Sequence, residues 1–304
     1  MSRLLVTGAT GFVGRHVLEH LEGDAREVHA LSSRTQVDGR WVVWHRADIL
    51  DTAATAKLVR EIAPTHLLHL AWFAEPGAFW RSPSNLDWLA ASALLVRAFR
   101  EAGGRRIVTA GSCAEYDWSS GVCHESTSRC LPATLYGATK NALQEVTTAY
   151  ARQEDFSSAW GRLFFMYGPG EPPAKLVASV IGSLLAGEDA CCSDGAQLRD
   201  FMHVADVAAA LVALLDSAVE GPVNIASGRP VAVRDLVREI AVQLGAGERL
   251  RFGALPSAAG EAPLIVGDTS RLHSEVRWAG TRGVAEGVAE TIAWWRQQRA
   301  VRAQ

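Results

Sequence analysis

A glycine-rich stretch near the start of the chain most constrains how this sequence can fold. Leu4, Leu5 and Val6 form a short apolar run typical of a strand buried on both faces. Residues 7–14 then read Thr-Gly-Ala-Thr-Gly-Phe-Val-Gly, after which apolar residues follow a helical spacing as far as Leu21. In such a strand–turn–helix unit, glycines allow close approach of a ligand, and the helix N-terminus attracts an anion such as a pyrophosphate. The spacing G-x-x-G-x-x-G differs from the G-x-G-x-x-G fingerprint, so this stretch alone leaves an ordinary α/β turn open.

Strands and helices alternate through the first half of the sequence. Apolar strands are predicted at 4–6, 28–31, 41–44, 66–71 and 106–110, and helices at 12–21, 51–62, 86–99 and 138–151. Strands separated by helices of this length imply right-handed crossovers. The first half is therefore predicted to form an α/β fold with a doubly wound parallel sheet, the Rossmann arrangement.

The second half departs from strict alternation after Gly168. Its predicted elements are a helix at 175–185, a short segment at 190–193, a segment at 198–204 that returns to the main sheet, a strand at Val223, a helix at 233–244 and a terminal helix. We expect residues 1–167 and 198–220 to form a dinucleotide-binding Rossmann domain. Residues 168–197 and 221–304 are expected to form a smaller C-terminal substrate-binding lobe.

Composition excludes several classes of protein. With 48% hydrophobic residues, 21% charged residues and a formal net charge of -3, the 304-residue chain is typical of a soluble globular protein and gives no sign of nucleic-acid binding. Its longest apolar runs fall short of the ~20 residues of a membrane helix. No basic and apolar leader precedes the first strand. We therefore expect a cytoplasmic protein with no nucleic-acid partner and no membrane association.

No metal site is predicted from the cysteines and histidines. The five cysteines lack the spacing of zinc ligands, and Cys191 and Cys192 are adjacent, which is a poor geometry for a disulfide. Their odd number is typical of a reducing compartment. His66 and His69 lie three apart on a predicted strand, so they point to opposite faces and cannot share one ion. We interpret them as packed histidines.

The end of the second predicted strand bears on the choice of dinucleotide. An acid at this point binds the 2′-hydroxyl of an adenosine ribose, whereas a basic residue accommodates a 2′-phosphate. The sequence has Ser32, Ser33 and Arg34 here, and Glu27 lies at the other end of the strand. NADP is therefore favoured over NAD, with a solvated surface charge as the alternative for Arg34. Asp48, after the third strand, is placed either to bind the adenine amine or to cap the next helix.

Three polar side chains carry the predicted chemistry. Ser112 follows the fifth strand, at the edge where open α/β sheets bind ligands. Tyr136 and Lys140 are spaced i and i+4 early in a helix, so they share one face. A free tyrosine has a pKa near ~10, and the neighbouring ammonium is expected to favour the phenolate. Ser112 would hold a substrate oxygen that Tyr136 protonates or deprotonates, which is hydride-transfer chemistry at an alcohol or ketone.

Together these motifs resemble the extended short-chain dehydrogenase/reductases, and within them the nucleotide-sugar epimerase, dehydratase and ketoreductase group. The matching segments are 7–14, Ser112, Tyr136 with Lys140, Arg162 to Pro169, Arg199 to Asp206 and Val223 to Gly228. The resemblance implies catalytic roles for Ser112, Tyr136 and Lys140. It also implies a homodimer formed through the helices at 86–99 and 138–151, unless these faces are buried within one subunit. The implied cofactor-binding residues are Gly8, Thr10, Gly11, Phe12, Val13, Arg34, Asp48, Ile49, Leu70, Ala71, Trp72, Tyr136 and Lys140.

Departures from the family pattern narrow the expected reaction. The 4,6-dehydratases of this group carry an Asp-Glu pair after the catalytic hydroxyl, but Cys113 and Ala114 stand here, so dehydration is not expected. Fucose-synthase-like enzymes place a cysteine two residues after the serine. Cys113 is one residue off that position and is interpreted as a packing residue beside the substrate. Glu115 is interpreted either as an extra acid at the substrate or as a loop carboxylate facing solvent.

The resemblance also suggests how a substrate is held. Arg199 is by resemblance a ligand of the substrate diphosphate, and the alternative is an ion pair with Asp200. Asn85 is either a supporting site residue or a helix-surface residue. Phe165 replaces an asparagine of the family motif, and Ala258-Ala259 stands near the place of a late arginine. Aromatic residues after the strand ends stack on a sugar or base or pack under their loops: Trp72, Phe73, Phe79, Trp80 and Trp118. The predicted substrate-binding residues are Trp80, Cys113, Glu115 and Arg199.

From these residues we expect a reductase that uses NADPH on a nucleotide-diphosphate-activated 4-keto-6-deoxyhexose, with Tyr136 as proton donor. One alternative is a nucleotide-sugar epimerase that holds NAD tightly. A non-enzyme alternative is a dinucleotide-sensing binding protein that has kept the fold.

Overall fold

The computed structural model describes residues 2–33, 41–257 and 260–302. Two predicted features fall outside these ranges. One is Arg34, on which the expected choice of NADP depends. The other is the Ala258-Ala259 pair, near the place of the missing arginine.

The strands and helices are as follows. The strands are β1 Arg3–Thr7, β2 Glu27–Ser32, β3 Val42–Arg46, β4 His66–His69, β5 Arg106–Ser112, β6 Val122–Cys123, β7 Ser157–Leu163, β8 Phe165–Tyr167, β9 Ala190–Cys192, β10 Leu198–His203, β11 Gly221–Ile225, β12 Pro230–Ala232, β13 Leu250–Phe252 and β14 Leu264–Gly267. The helices are α1 Phe12–His20, α2 Thr52–Ile62, α3 Ser84–Glu101, α4 Leu135–Gln153, α5 Leu176–Ala186, α6 Val204–Asp216, α7 Val233–Leu244, α8 Ser270–Ser274 and α9 Val284–Arg302.

Seven strands of the described chain form one parallel sheet in the order β11-β7-β5-β4-β1-β2-β3. Alternate side chains of β1 serve opposite faces, as the period of two requires. Leu4 and Val6 join a buried cluster with α1 and α6, whereas Leu5 joins a cluster with α2 and α3. Because both faces are covered, the central strand β1 is apolar at Leu4, Leu5 and Val6. The predicted doubly wound Rossmann fold is confirmed.

The large sheet contains one strand that the apolar pattern did not indicate. β7 begins with two serines and carries Gly161 and Arg162, yet it lies between β5 and β11. The Arg162 side chain is buried because an acid is buried with it. A search for uninterrupted apolar runs therefore passes over this strand.

A smaller sheet, in the order β12-β10-β14-β6, carries β8 as an additional partner of β10. The prediction that 198–204 returns to the main sheet is wrong. The chain leaves β7 through Phe164 into β8, whose Phe165 pairs with Phe201, and this pairing holds β10 in the smaller sheet. The opposite holds for β11, which was expected in the lobe: it pairs with β7 and forms the edge strand of the large sheet. Apart from these strands, the proposed division into a Rossmann domain and a lobe stays a prediction.

The histidine pair occupies two separate environments. His69 is buried and hydrogen-bonded to the hydroxyls of Thr7 and Ser92 at 2.7 and 2.9 Å, and burial lowers its pKa to about 3. His66 lies at the other end of β4, where its Nδ1 is 3.2 Å from the hydroxyl of Ser2. Over the described ranges, the structure contains no cluster of three or more His, Cys, Asp or Glu side chains that could hold a metal ion. None of the helices in those ranges combines the length and apolar content of a bilayer crossing.

Candidate active site

The glycine turn between β1 and α1 has room only for glycine at two of its positions. Gly8 has φ +70°, and a Cβ there would lie 2.7 Å from the backbone nitrogen of Ala71. A Cβ on Gly14 would lie 2.1 Å from the carbonyl oxygen of Gly8. Gly11 is exposed and begins α1 without a side-chain cap. The helix N-terminus therefore offers backbone donors and free space, which fits the pyrophosphate of a dinucleotide.

A cavity of about 430 Å³ lies beside this turn, at the carboxyl ends of β2 and β3. Ser33, Arg46 and Asp48 are among its lining residues. Asp48 accepts the backbone N–H of Leu50 at 3.0 Å, whereas Asp51 caps α2 by accepting from Ala54. The cap alternative for Asp48 is therefore wrong. The Asp48 carboxylate is exposed at the carboxyl edge of the sheet, and its contact with an adenine amine stays a prediction.

Ser112 is the last residue of β5, and a capping box holds it at the carboxyl edge. Its hydroxyl accepts the N–H of Ala114 at 3.2 Å, while the Glu115 carboxylate accepts the N–H of Ser112 at 2.7 Å. The Tyr136 phenol lies close enough to this hydroxyl for the serine to lower its pKa. β5 and α4 thus bring Ser112 and Tyr136 together as predicted.

Tyr136 and Lys140 occupy the first turns of α4, which Thr134 caps by accepting the N–H of Gly137 at 3.2 Å. The Lys140 ammonium donates to the carbonyl of Ala110 at 2.8 Å and lies 4.0 Å from the centre of the Trp72 ring. Burial lowers the pKa of Lys140 to about 7. These contacts hold the ammonium in a buried position, on the same face of α4 as the phenol.

The predicted lowering of the tyrosine pKa is wrong in this structure. Burial, which disfavours the phenolate, raises the pKa of Tyr136 well above its ordinary value, and the hydrogen bond from Ser112 offsets only part of this effect. The ammonium of Lys140 is engaged by Ala110 and Trp72 instead. Tyr136 is therefore held as a neutral phenol, which is the form that donates a proton.

Aromatic rings wall the phenol on its open side. The rings of Phe79 and Trp80 meet Tyr136 edge-on, with centroids 4.9 and 5.7 Å away. Asn85 organises this loop from a fully buried position: it donates to the carbonyl of Phe79 and accepts from the Trp72 indole. The helix-surface alternative for Asn85 is therefore wrong. Trp80 lies where the sequence predicted a substrate contact, which stays a prediction.

Comparison with known proteins agrees with this geometry. Residues 4–226 match the model of the NAD dependent epimerase/dehydratase family. The chain belongs to this family. Its relatives are NAD-dependent enzymes of the extended short-chain dehydrogenase/reductase type, so that resemblance is confirmed.

Several relatives extend over nearly the whole chain. A dTDP-4-dehydro-6-deoxy-D-allose reductase of Streptomyces sp is 28% identical, over 96% of this chain and 96% of its own. A UDP-glucose 4-epimerase of Erwinia amylovora is 24% identical, over 97% and 98%. A solved structure of MoeE5 with UDP-glucuronic acid and NAD is 30% identical and superposes with a TM-score of 0.85, over 98% and 100%. Reductases and epimerases are thus comparably near.

In this family member, Glu115 takes neither of its two predicted positions. It is fully buried, and its carboxylate accepts from Arg162 Nε at 2.7 Å and from the Trp160 indole at 2.9 Å. A loop carboxylate facing solvent is therefore wrong. The predicted substrate contact is replaced by this internal network, because the carboxylate has no exposed surface to offer a ligand.

Arg199 and Cys113 are also engaged within the protein. Arg199 pairs with Glu261 at 2.7 Å and donates to the carbonyl of Ala262. The alternative pair with Asp200 is wrong, because that carboxylate accepts from Ser227 and two neighbouring backbone N–H groups. Cys113 is buried in an apolar cluster, where burial raises the pKa of its thiol. It thus occupies the packing position.

Sequence reasoning assigned no role to several residues that shape the site. Arg162 appeared only as part of a matching segment, although a lone arginine inside an apolar strand is a signal for a buried ion pair. Arg46 ends β3 at the adenosine cavity. Glu171 and Lys175 lie close together before α5, and Lys175 reaches the Phe79 ring at 5.2 Å. Their proximity follows from the turn after Gly170, which local patterns do not reveal.

Proposed function

We propose that this chain is an NADP-dependent 4-ketoreductase of a nucleotide-diphosphate-activated 4-keto-6-deoxyhexose. The observation that carries the proposal is the convergence of Ser112, at the end of β5, with Tyr136 and Lys140, in the first turns of α4, where the lysine donates to Ala110 of β5. A reductase needs a proton donor at this position. The 28% identity to a dTDP-4-dehydro-6-deoxy-D-allose reductase, over 96% of both chains, supports the reductase reaction.

In the proposed reaction, a bound nicotinamide supplies the hydride to the keto carbon. Tyr136 donates its proton to the forming alkoxide, and Ser112 holds that oxygen by a hydrogen bond. Lys140 holds the nicotinamide ribose and restores charge balance near the phenol. Gly8, Gly11 and the start of α1 hold the pyrophosphate, which the exposed Gly11 and the uncapped N-terminus of α1 support.

A second cavity, of about 500 Å³, supports the proposed kind of sugar. It adjoins Ala114 and Thr134, which neighbour Ser112 and Tyr136 in sequence, and its walls include Trp118 and Leu264. Asp117 is the one charged side chain among its described lining residues. An apolar, slightly acidic pocket favours the methyl group of a 6-deoxy sugar over a uronate carboxylate.

The proposed NADP preference rests on Arg34 and gains support from Arg46. The latter is exposed and lines the adenosine cavity together with Ser33. A basic residue at this edge accommodates a 2′-phosphate. The proposed diphosphate ligand Arg199 is paired with Glu261, so the substrate phosphates must replace that carboxylate.

A direct assay separates the proposed reductase from an epimerase. Purified protein is mixed with NADPH and a panel of nucleotide-activated 4-keto-6-deoxyhexoses, and the loss of NADPH absorbance is followed. Stoichiometric oxidation with formation of the 4-hydroxy sugar supports the reductase. Interconversion of C4-epimeric nucleotide sugars without net consumption of reduced cofactor supports the epimerase, which the similarity to UDP-glucose 4-epimerase favours.

We also propose the homodimer that the resemblance implied. α3 and α4 pack side by side and leave Leu86, Leu94 and Val146 exposed. A second copy would cover this apolar face. Light scattering should show a dimer for the native chain and a monomer for Val146→Lys.

A further inference from the structure

Glu115 links the active-site serine to a buried ion pair. One carboxylate oxygen accepts the backbone N–H of Ser112 at 2.7 Å, and the other accepts Arg162 Nε at 2.7 Å. The Trp160 indole donates to both oxygens, at 2.9 and 3.1 Å. Each oxygen thus has at least two donors, so the carboxylate has one well-defined orientation.

The guanidinium of Arg162 is fixed by partners of its own. It donates to the Tyr116 hydroxyl at 2.9 Å and to Cys130 Sγ at 3.2 Å. The Tyr116 hydroxyl in turn donates to Asn224 at 2.8 Å. This network ties β5, β7 and β11 together behind Ser112. A buried ion pair is a weak source of stability, and its usual benefit is a unique arrangement.

The negative charge of Glu115 also acts on the helix that carries Tyr136 and Lys140. It raises the pKa of Lys140 and so opposes burial, which brings that pKa to about 7. The other ionisable groups that face Lys140 are His69 on β4, whose pKa of about 3 leaves it neutral, and Tyr136 on α4 itself. Glu115 is therefore the anion that favours the charged form of this lysine.

We propose that Glu115 is a positioning residue of the active site, which fixes Ser112 beside Tyr136 through its buried carboxylate and supplies the negative charge that faces Lys140. The inference rests on the catalytic roles proposed for these three residues. Glu115 touches neither a substrate nor a cofactor, because it is fully buried. Arg162 compensates its charge, and the Ser112 N–H transmits its position to the cleft.

The first experiment needs no turnover. The chain contains three lysines, Lys57, Lys140 and Lys175, so 13C-lysine-labelled protein gives few side-chain NMR signals, which a Lys140→Arg variant assigns. In the native protein the Lys140 signal should titrate near pH 7. In Glu115→Gln the midpoint should fall by up to about one pH unit, since removing an opposing charge that acts on Lys140 through the buried interior lowers its pKa. In Glu115→Asp, which keeps the charge, it should stay near 7.

The second experiment measures turnover against pH in the ketoreductase assay. Glu115→Asp is one methylene shorter and cannot hold Ser112 equally well, so kcat should fall by up to about 100-fold while the alkaline limb of the pH profile stays in place. Glu115→Gln should lower kcat and move that limb to lower pH. Glu125→Gln, which removes a nearby carboxylate that accepts from Asn224, is the control and should change neither quantity.

A purely structural role predicts other results. Glu115→Gln and Glu115→Asp would then lower Tm alike, and the Lys140 titration and the alkaline limb would match those of the native protein, which overturns the proposal. If Glu115→Gln does not fold, the double variant Glu115→Gln/Arg162→Leu, which removes both buried charges, undergoes the same titration. If the native protein turns over no keto sugar, the proposed function fails, and the titration alone decides the role of Glu115.

Discussion

The proposed reacting end, at Ser112, Tyr136 and Lys140, and the proposed adenosine end, at Arg46 and Asp48, differ in their exposure to water. At the reacting end, Ser112 and Lys140 are buried, and Tyr136 is enclosed by aromatic rings. At the adenosine end, Arg46 and Asp48 are exposed on an open cavity. The two ends belong to one edge of one sheet, so the fold does not impose the difference.

We relate this difference in exposure to two tasks: proton transfer at the reacting end, and selection of the dinucleotide at the adenosine end. Burial shifts the pKa values of Tyr136 and Lys140, because desolvation disfavours charged forms, and this sets what the groups can do. Exposed charges keep their hydration and act weakly through screened attraction. We therefore expect substitutions at the reacting end to abolish turnover or change stability, and substitutions at the adenosine end to change the preferred dinucleotide.

Replacing Tyr136 tests the reacting end most severely. Tyr136→Phe removes the proton donor and keeps the ring against Phe79 and Trp80, so kcat should fall by about 100- to 10,000-fold with little change in cofactor affinity. Tyr150→Phe makes the same chemical change on α4, away from the cleft, and should leave kcat unaltered. A Tyr136→Phe protein with native kcat would mean that another group delivers the proton.

A buried acid near the same end provides a test by stability. Glu171 is 5% exposed, accepts the N–H of Ala178 at 3.1 Å, and has its pKa raised to about 8 by burial. The folded protein keeps this proton up to about pH 8, whereas the unfolded chain releases it near the ordinary glutamate pKa of 4.5, so the free energy of unfolding falls as pH rises through that window. Glu171→Gln should remove this decrease in the free energy of unfolding, which is on the order of a few kcal/mol.

Urea unfolding at pH 5 and pH 8 measures this effect as the difference between variant and native protein. Glu188→Gln, an exposed substitution just beyond α5, is the matched control. If Glu171→Gln raises the free energy of unfolding no more at pH 8 than at pH 5, the Glu171 carboxyl is already ionised in the native protein at pH 8. Burial at this end would then disfavour the charged form less than the geometry indicates.

The same contrast explains what the sequence could predict. The glycine turn, the strand–helix alternation and the placement of Ser112, Tyr136 and Lys140 follow from local patterns, and the structure agrees with all three. These features are local because each depends on spacing within one strand–helix unit. The pattern also identified Asp48 at the correct edge of the sheet.

Long-range pairing was beyond local patterns. The partner of Glu115 lies 47 residues away on β7, so the sequence suggested a solvent-facing carboxylate where the fold buries one. The pKa of Tyr136 was misjudged for a related reason: i,i+4 spacing shows that Lys140 is near but not that Ala110 accepts from its ammonium. The expectation for β10 is wrong because only tertiary pairing with β8, β12 and β14 decides its sheet.

Gly11 lies between the two ends and tests whether one dinucleotide joins them. The nearest atom to a Cβ placed there is the Gly8 carbonyl oxygen at 3.0 Å, so the fold can adjust, but the methyl group fills the space above the start of α1. Gly11→Ala should weaken NADPH binding by about 1–3 kcal/mol, roughly 5- to 150-fold, measured by calorimetric titration.

Gly182→Ala is the control for Gly11→Ala. Gly182 lies within α5 and has no heavy atom within 4 Å of its ideal Cβ, so this change should raise stability by about 0.5–1 kcal/mol and leave binding unchanged. Unchanged NADPH affinity in Gly11→Ala would place the pyrophosphate elsewhere and divide the cleft into two unrelated sites.

The smallest expected effect concerns the adenosine end. Arg34→Ala and Arg46→Ala should each weaken NADPH binding by about tenfold, the typical value of one charge-assisted hydrogen bond, and leave NADH binding unaltered because NADH carries no 2′-phosphate. The loss of NADPH affinity should shrink at high salt, since Arg46 is exposed and its attraction for the 2′-phosphate is screened.

Arg60→Ala, which removes an exposed arginine from α2 without touching the cavity, is the control. A double variant with native NADPH preference would show that neither arginine selects the dinucleotide, and selection would then belong to the buried part of the cleft.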